Sequence, residues 1–277
     1  VCRTEYELPE DLRSKLALFC NVREEAVIQS IDASTIYDVP NLMLEQGLDK
    51  VVLKKLELKS ATPDLTQWNK FLSRHKNPKS EITIGLIGKY VELQDSYKSI
   101  LESFIHAGAV NEVKVNVESI HSEYLNEQNA KLKLSHLDGV LVAPGFGERG
   151  IEGKIDAIRY VREQNIPFLG ICLGMQMAVI EFARNVIGLS DANSTEMMPN
   201  TTHPVIDLME SQKSITKKGG TMRLGAWDCK ISSDSIASKV YGTHTIKERH
   251  RHRYEFNNKY KAEIEAAGMI ATGLNPE

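Results

Sequence analysis

Beyond residue 80 the apolar positions fall into short continuous runs that alternate with helical spacings. Residues 82–87 (ITIGLI) are an apolar, β-rich run closed by Gly88, and 96–107 (SYKSILESFIHA) carry helical spacing. Residues 113–120 alternate as a half-buried strand does, and 137–142 (LDGVLV) predict a buried strand that ends in the turn-rich APGFGERG. The pattern then predicts a helix over 154–163, a strand over 167–171 and a long helix over 173–186. Strands alternating with helices of this length imply βαβ units and a doubly wound, mainly parallel α/β sheet over 82–277. Ligands of such sheets bind outside the carboxyl ends of the strands, which singles out residues 144–150 and the turn at Cys172.

The first eighty residues have a different rhythm. Helix character runs over 9–18, with Pro9 suited to a first turn, and Pro40 can begin another helix that Gly47 ends. Residues 59–80 are polar, with helical spacing around 65–74, and read as a connector. The expected division is therefore 1–59, a linker at 60–81, and a domain over 82–277.

Composition narrows the class. The 277 residues hold 34 basic and 37 acidic side chains, a net charge of −3, which gives no electrostatic support for nucleic-acid or anionic-membrane binding. Cys2, Cys20, Cys172 and Cys229 lie far apart and form no C-x-x-C pair, against a zinc site or disulfide framework and in favour of a reducing compartment. The opening VCRTEYELPEDLRSK carries charges where a signal peptide needs an apolar core. The longest apolar stretch, 166–180, is broken by Pro167, Gly170, Gly174 and Gln176 and is too short to span a bilayer. These features predict a cytoplasmic globular protein.

The sharpest chemical signal is PFLGICLGMQ at 167–176. An apolar strand ends at Cys172 and a helix begins at once, where free N–H groups and the helix dipole favour a thiolate, the nucleophilic form of cysteine. Gly170 and Gly174 flank the turn, as a strained elbow requires. A lone cysteine is ordinarily a buried structural residue; the Gly-x-Cys-x-Gly spacing at a strand–helix junction reverses that reading. The second signal is Pro144-Gly145-Phe146-Gly147, whose backbone N–H groups could supply half of an oxyanion hole opposite Cys172. Its plain alternative is a glycine turn, and the spacing at 145, 147 and 150 is not a dinucleotide fingerprint.

GICLGMQ after a P-G-F-G loop resembles the class I (triad-type) glutamine amidotransferases. DANSTE (191–196), GGTMRLG (219–225) and ERHRHRYEFN (248–257) narrow the resemblance to the glutaminase half of the CTP synthase family, and RSKLALFCNV and IGKYVELQDSYKSI extend it upstream. The resemblance implies a class I amidotransferase fold preceded by a remnant of an α/β P-loop-type synthetase domain. It also implies amination of UTP to CTP with ATP, Mg²⁺ and glutamine-derived ammonia, GTP as activator, no bound organic cofactor, and a homotetramer. Carried over by position, Cys172 matches the thioester-forming nucleophile. Gly145 and Leu173 match the oxyanion donors, and Leu173, Gly174, Met175, Gln176, Glu196 and Arg253 the glutamine contacts. A carboxylate suits the substrate α-ammonium and a guanidinium its α-carboxylate. Arg149, Gly150 and Glu152 fall in the GTP loop, Lys15 matches a UTP/CTP contact, and Ile31, Asp32 and Ala33 match an ATP-adenine contact.

KERHRHR (247–253) is read as a solvated surface rather than a nucleic-acid patch. The family's general base belongs to a Phe-His-Pro-Glu-Phe motif that this sequence lacks, so His250 and His252 are not assigned that role. The chain opens on Val1 and ends at ATGLNPE. It is expected to be a fragment without metal ligands that does not turn glutamine over alone. Two alternatives remain: an amidotransferase of the same fold serving purine or anthranilate synthesis, and a non-catalytic regulatory module.

Overall fold

The computed structural model describes residues 1–209, 212 and 222–276; of the GGTMRLG stretch, 219–221 lie outside the described residues. The chain forms two compact units, one of Val1–Ser80 with Ile105–Lys114, the other of Glu81–Phe104 with Val115–Glu277.

The first unit begins with β1 (Cys2–Arg3), α1 (Glu10–Phe19) and β2 (Gln29–Ser30), the two strands pairing in parallel. Pro9 caps α1, where its missing N–H costs nothing, and Glu10 and Asp11 favour the positive helix end. Two short helices follow, α2 (Val39–Glu45) and α3 (Leu48–Lys55), separated by Gly47 at φ 73°. The polar stretch carries α4 (Thr66–Lys76), which lays Trp68 and Phe71 against Tyr37 with ring centroids 5.8 and 5.1 Å apart.

The second unit is built on a four-stranded sheet. Its strands are β3 (Ser80–Gly88), β4 (Val113–His121), β5 (Gly139–Val142) and β6 (Phe168–Gly170), in the order β4-β3-β5-β6. β3 with β5 and β5 with β6 are parallel, joined through α5 (Lys98–Asn111), α6 (Glu127–Leu134) and α7 (Ile151–Glu163). Side chains of a strand alternate between faces, so β5 feeds two cores. Val140 and Val142 join Ile87, Ile155, Ile158 and Val161 on one face. Leu141 joins Leu86, Tyr97, Ile100 and Phe104 on the other. Helices on both faces make the sheet doubly wound.

The helix after β6, α8 (Leu173–Phe182), is shorter than the pattern predicts. The chain passes into a π turn over Ala183–Ile187 and leaves it at Gly188 in the left-handed region.

The last third departs from a single parallel sheet. β7 (Asn193–Ser194) pairs in parallel with β8 (Pro204–Leu208). β9 (Arg223–Ile231) is followed by α9 (Ile236–Tyr241) and by β10 (Thr245–His252), which is antiparallel to β9. β11 (Tyr254–Phe256) returns antiparallel to β8, and after α10 (Lys261–Ala266) β12 (Gly273–Leu274) pairs with β9. KERHRHR is thus mostly strand β10, whose Lys247, Arg249 and Arg251 are exposed while His250 and His252 are partly covered. The alternation is that of a strand with one solvated face. Among the described residues no helix is long and apolar enough to cross a membrane.

Candidate active site

Cys172 lies one residue beyond β6 and immediately before the first residue of α8, with φ 54° and ψ −106°, a combination that L-residues rarely adopt. Two contacts explain why the elbow needs glycine on both sides. A Cβ on Gly170 would lie 2.6 Å from the Met175 nitrogen, and one on Gly174 would lie 2.1 Å from the Val142 carbonyl oxygen. The first turn of α8 is therefore seated on the ends of β5 and β6.

A cavity of about 340 Å³ opens at this elbow, lined by Gly145, Phe146, Cys172, Gln176, Glu196, Met222, His252, Arg253 and Tyr254. Three segments distant in sequence converge on it. The loop after β5 brings Gly145, the turn after β7 brings Glu196, and the β10–β11 junction brings Arg253. The Gly147 N–H donates to Glu196 Oε1 at 3.3 Å, tying the first two together. Arg253 is buried and its Nη1 donates to Gln212 Oε1 at 2.5 Å. Gln176 Nε2 donates to the Tyr254 carbonyl at 3.1 Å, linking α8 to the strand after Arg253.

The electrostatics of Cys172 are divided. Burial pushes the thiol up, and the Glu196 carboxylate works in the same direction. The Leu173 backbone N–H and the Lys154 ammonium pull it down. Proximity to a helix N-terminus thus does not decide the thiolate by itself.

The sequence-derived candidates separate by place. Cys172, Gly145, Gln176, Glu196 and Arg253 line the cavity; Leu173 and Gly174 are buried behind it, and Met175 is partly exposed. Arg149, Gly150 and Glu152 do not line it. Arg149 pairs with Glu123 at 2.9 Å and lies 5.5 Å over the Tyr90 ring. Gly150 caps α7 at φ 73°, and Glu152 pairs with Arg184 at 3.0 Å. The remaining candidates belong to the first unit. Lys15 is exposed on α1, 3.5 Å from Asp11. Ile31, Asp32 and Ala33 follow β2, and Asp32 and Ala33 line a separate cavity of about 350 Å³ with Ser34, Asp38 and Lys76. Asp32 also holds Arg3.

Sequence reasoning overlooked Phe146, Met222 and Tyr254 as lining residues, and it set His252 aside with its neighbour. Nδ1 of His250 and Nε2 of His252 are 2.8 Å apart, and His252 Nδ1 lies 3.1 Å from the Tyr254 carbonyl. Burial holds both imidazoles below their ordinary range. Also missed were two buried lysines beneath the Gly145 loop, Lys89 and Lys154. Lys154 had a readable signal: it falls between Ile151, Ile155 and Ile158 on the apolar face of its helix.

The model of class I glutamine amidotransferases matches residues 92–277, and that of the CTP synthase N-terminus matches residues 1–58. This chain belongs to the class I glutamine amidotransferase family. It is 74% identical to a CTP synthase of Christiangramia forsetii and 72% identical to one of Flavobacterium psychrophilum, in each case over all of this chain. It covers 51% and 52% of those proteins, so it spans about half the length of the curated relatives it matches. Among solved structures it is similar to the glutaminase domain of Trypanosoma brucei CTPS with bound acivicin, at TM-score 0.66 and 39% identity, over 70% of this chain and 75% of that one.

Proposed function

We propose that this amidotransferase domain releases ammonia from glutamine for a CTP synthase. The observation that carries the reading is Cys172 at a strained elbow, in one cavity with Gly145, Glu196 and Arg253. Glu196 takes the substrate α-ammonium and Arg253 its α-carboxylate, which directs the side-chain amide at the sulfur. The Cys172 thiolate attacks the amide carbon; a C–S bond forms and the carbonyl π pair moves to oxygen. The Gly145 and Leu173 N–H groups receive that oxyanion. When it collapses, the C–N bond breaks, the nitrogen leaves as ammonia after gaining a proton, and a γ-glutamyl thioester remains. Water then adds to the thioester, giving glutamate and restoring the thiol.

The rest of the reaction belongs to the whole protein. UTP is phosphorylated on its 4-oxygen at the expense of ATP, and ammonia displaces that phosphate. Lys15 contacts the pyrimidine nucleotide and Ile31, Asp32 and Ala33 the adenine. GTP acts at Arg149, Gly150 and Glu152, in a cytoplasmic homotetramer. Among the described residues no group of three or more His, Cys, Asp or Glu side chains is arranged to hold a metal.

The test is Cys172→Ala in the full-length protein, assayed with glutamine and with ammonium chloride as nitrogen donor. The glutamine-dependent rate should vanish and the ammonia-dependent rate should persist. Equal loss of both in a folded variant would overturn the division of labour.

A further inference from the structure

Lys154 is the largest fully buried side chain among the described residues. It sits on the face of α7 that also carries Ile151, Ile155, Ile158 and Val161, all buried. Packing alone would be served by methionine or leucine there, and burying an ammonium is costly unless something nearby uses the charge. What lies nearby is the loop and elbow of the cavity. Lys154 Nζ donates to the Ala143 carbonyl at 3.2 Å, immediately before Pro144 and Gly145. A Cβ on Gly145 would come within 4.0 Å of the same nitrogen and 3.4 Å of both Lys89 Cε and Leu173 Cδ2. Lys89, buried at the end of β3, donates to the Phe146 carbonyl on the other side of Gly145. The two ammonium groups thus hold the loop from beneath at both ends.

The Lys154 charge is set by its surroundings. Burial and the repulsion of Lys89 bring the Lys154 ammonium down to about 8, and the Cys172 thiolate opposes that fall. The coupling is reciprocal: Lys154 lowers the thiol while burial and Glu196 raise it.

We propose that Lys154 is a positioning residue for the thiol chemistry: its buried ammonium anchors the Gly145 loop through Ala143 and supplies the positive charge that favours the Cys172 thiolate. This rests on the assignment of Cys172 as nucleophile. The ammonium does not touch substrate; it acts through the loop and the sulfur, from a place where water cannot screen it.

The experiment uses the full-length protein with Lys154→Met, Lys154→Gln and Lys154→Arg. The readout is the pH dependence of Cys172 alkylation by iodoacetamide, followed by mass spectrometry of its peptide. Only thiolate reacts, so the labelling rate near neutrality reports the thiolate fraction. Glu196, which acts on the sulfur, His252, which lines its cavity, and Lys89, which repels Lys154, are unchanged in every variant. Near pH 7, where the Lys154 ammonium is still charged, labelling should slow about tenfold in the Met and Gln variants, with the same plateau at high pH. Lys154→Arg should restore most of it. Glutamine hydrolysis should lose kcat with little change in KM, because Glu196 and Arg253 remain. Gln keeps a donor for Ala143 without charge, so it gives the reading if Met fails to fold. A purely structural lysine would lower Tm and leave the labelling rate near neutrality in place, and a wild-type rate at pH 7 in either folded neutral variant overturns the proposal. A Cys172→Ser control separates the two failures: if hydrolysis survives it, the nucleophile assignment falls and this inference with it. If hydrolysis is lost while the Lys154 variants label at the wild-type rate near neutrality, only the inference falls.

Discussion

Gly174 packs against the end of β5 so closely that a Cβ there would lie 2.1 Å from the Val142 carbonyl oxygen. Replacing a helical glycine by alanine ordinarily stabilises by about 1 kcal/mol. Here the methyl would meet rigid backbone, and forced overpacking of that kind costs about 1–3 kcal/mol or more. Gly174→Ala should therefore destabilise the domain by roughly 2 kcal/mol or more, lowering Tm by about 4–8 °C for a unit of this size. Calorimetry checks this; an unchanged or raised Tm would contradict the close approach.

Cys172 itself stores strain at φ 54° and ψ −106°. Glycine adopts that conformation freely, whereas a residue with a Cβ does so at a cost of about 1–3 kcal/mol. Both Cys172→Gly and Cys172→Ala remove the sulfur, but the glycine variant should be the more stable by about 1–2 kcal/mol. Urea unfolding of the two side by side measures the difference directly.

Arg162 forks onto Glu181, which is 1% exposed on α8, with Nη2 to Oε1 at 2.8 Å and Nε to Oε2 at 2.9 Å. Asn185 adds a third donor at 3.2 Å. Removing the arginine leaves a buried carboxylate short of its charge partner. The usual penalty is about 3–5 kcal/mol, and since Arg162 is partly open to water about 2–4 kcal/mol is expected for Arg162→Leu. Adding Glu181→Leu should recover most of that loss, because two leucines bury no charge. A double-mutant cycle by denaturant unfolding tests both statements.

The His250–His252 contact sets a pH dependence. One ring must donate and the other accept across 2.8 Å, so two charged rings are incompatible with it. Burial holds both imidazoles below the ordinary value of 6.5. As pH falls below that value the unfolded chain binds protons before the folded one does. The stabilisation is therefore complete above about pH 6.5 and is lost as pH falls through the lower folded-state values. A His250→Gln variant should show a flatter dependence of Tm on pH between about 7 and 5 than wild type. Parallel curves for the two proteins would remove the pair as the source.

Much of the second unit was legible locally. ITIGLI and LDGVLV are continuous apolar runs because their strands are buried on both faces, and the helices between them show their spacing for the same reason. Cys172 could be placed on an elbow since Gly170 and Gly174 are adjacent to it in sequence, and their clashes involve nearby turns. The antiparallel sheets of the last third were not legible. β9 and β10 are largely solvated, so charge replaces the apolar alternation that would mark them. The length of α8 also escaped, since an apolar run reads equally well as α-helix or as the π turn that follows it.

Residue identity and short spacing thus determined the parallel core, the elbow and the chemical type of each cavity residue, because those features depend on neighbours a few positions away. Tertiary structure alone decided that Gly145, Glu196 and Arg253 meet at Cys172, since each arrives on a different segment and their separation in sequence carries no distance. It also decided the state of the charges. Lysine at position 154 carries the spacing of an apolar face in the sequence, but only once α7 turns it inward beneath Ala143 does burial make its proton labile and its field felt by the thiol. Burial is a property of the whole fold, and it is burial that turns an ordinary lysine and an ordinary cysteine into a coupled pair.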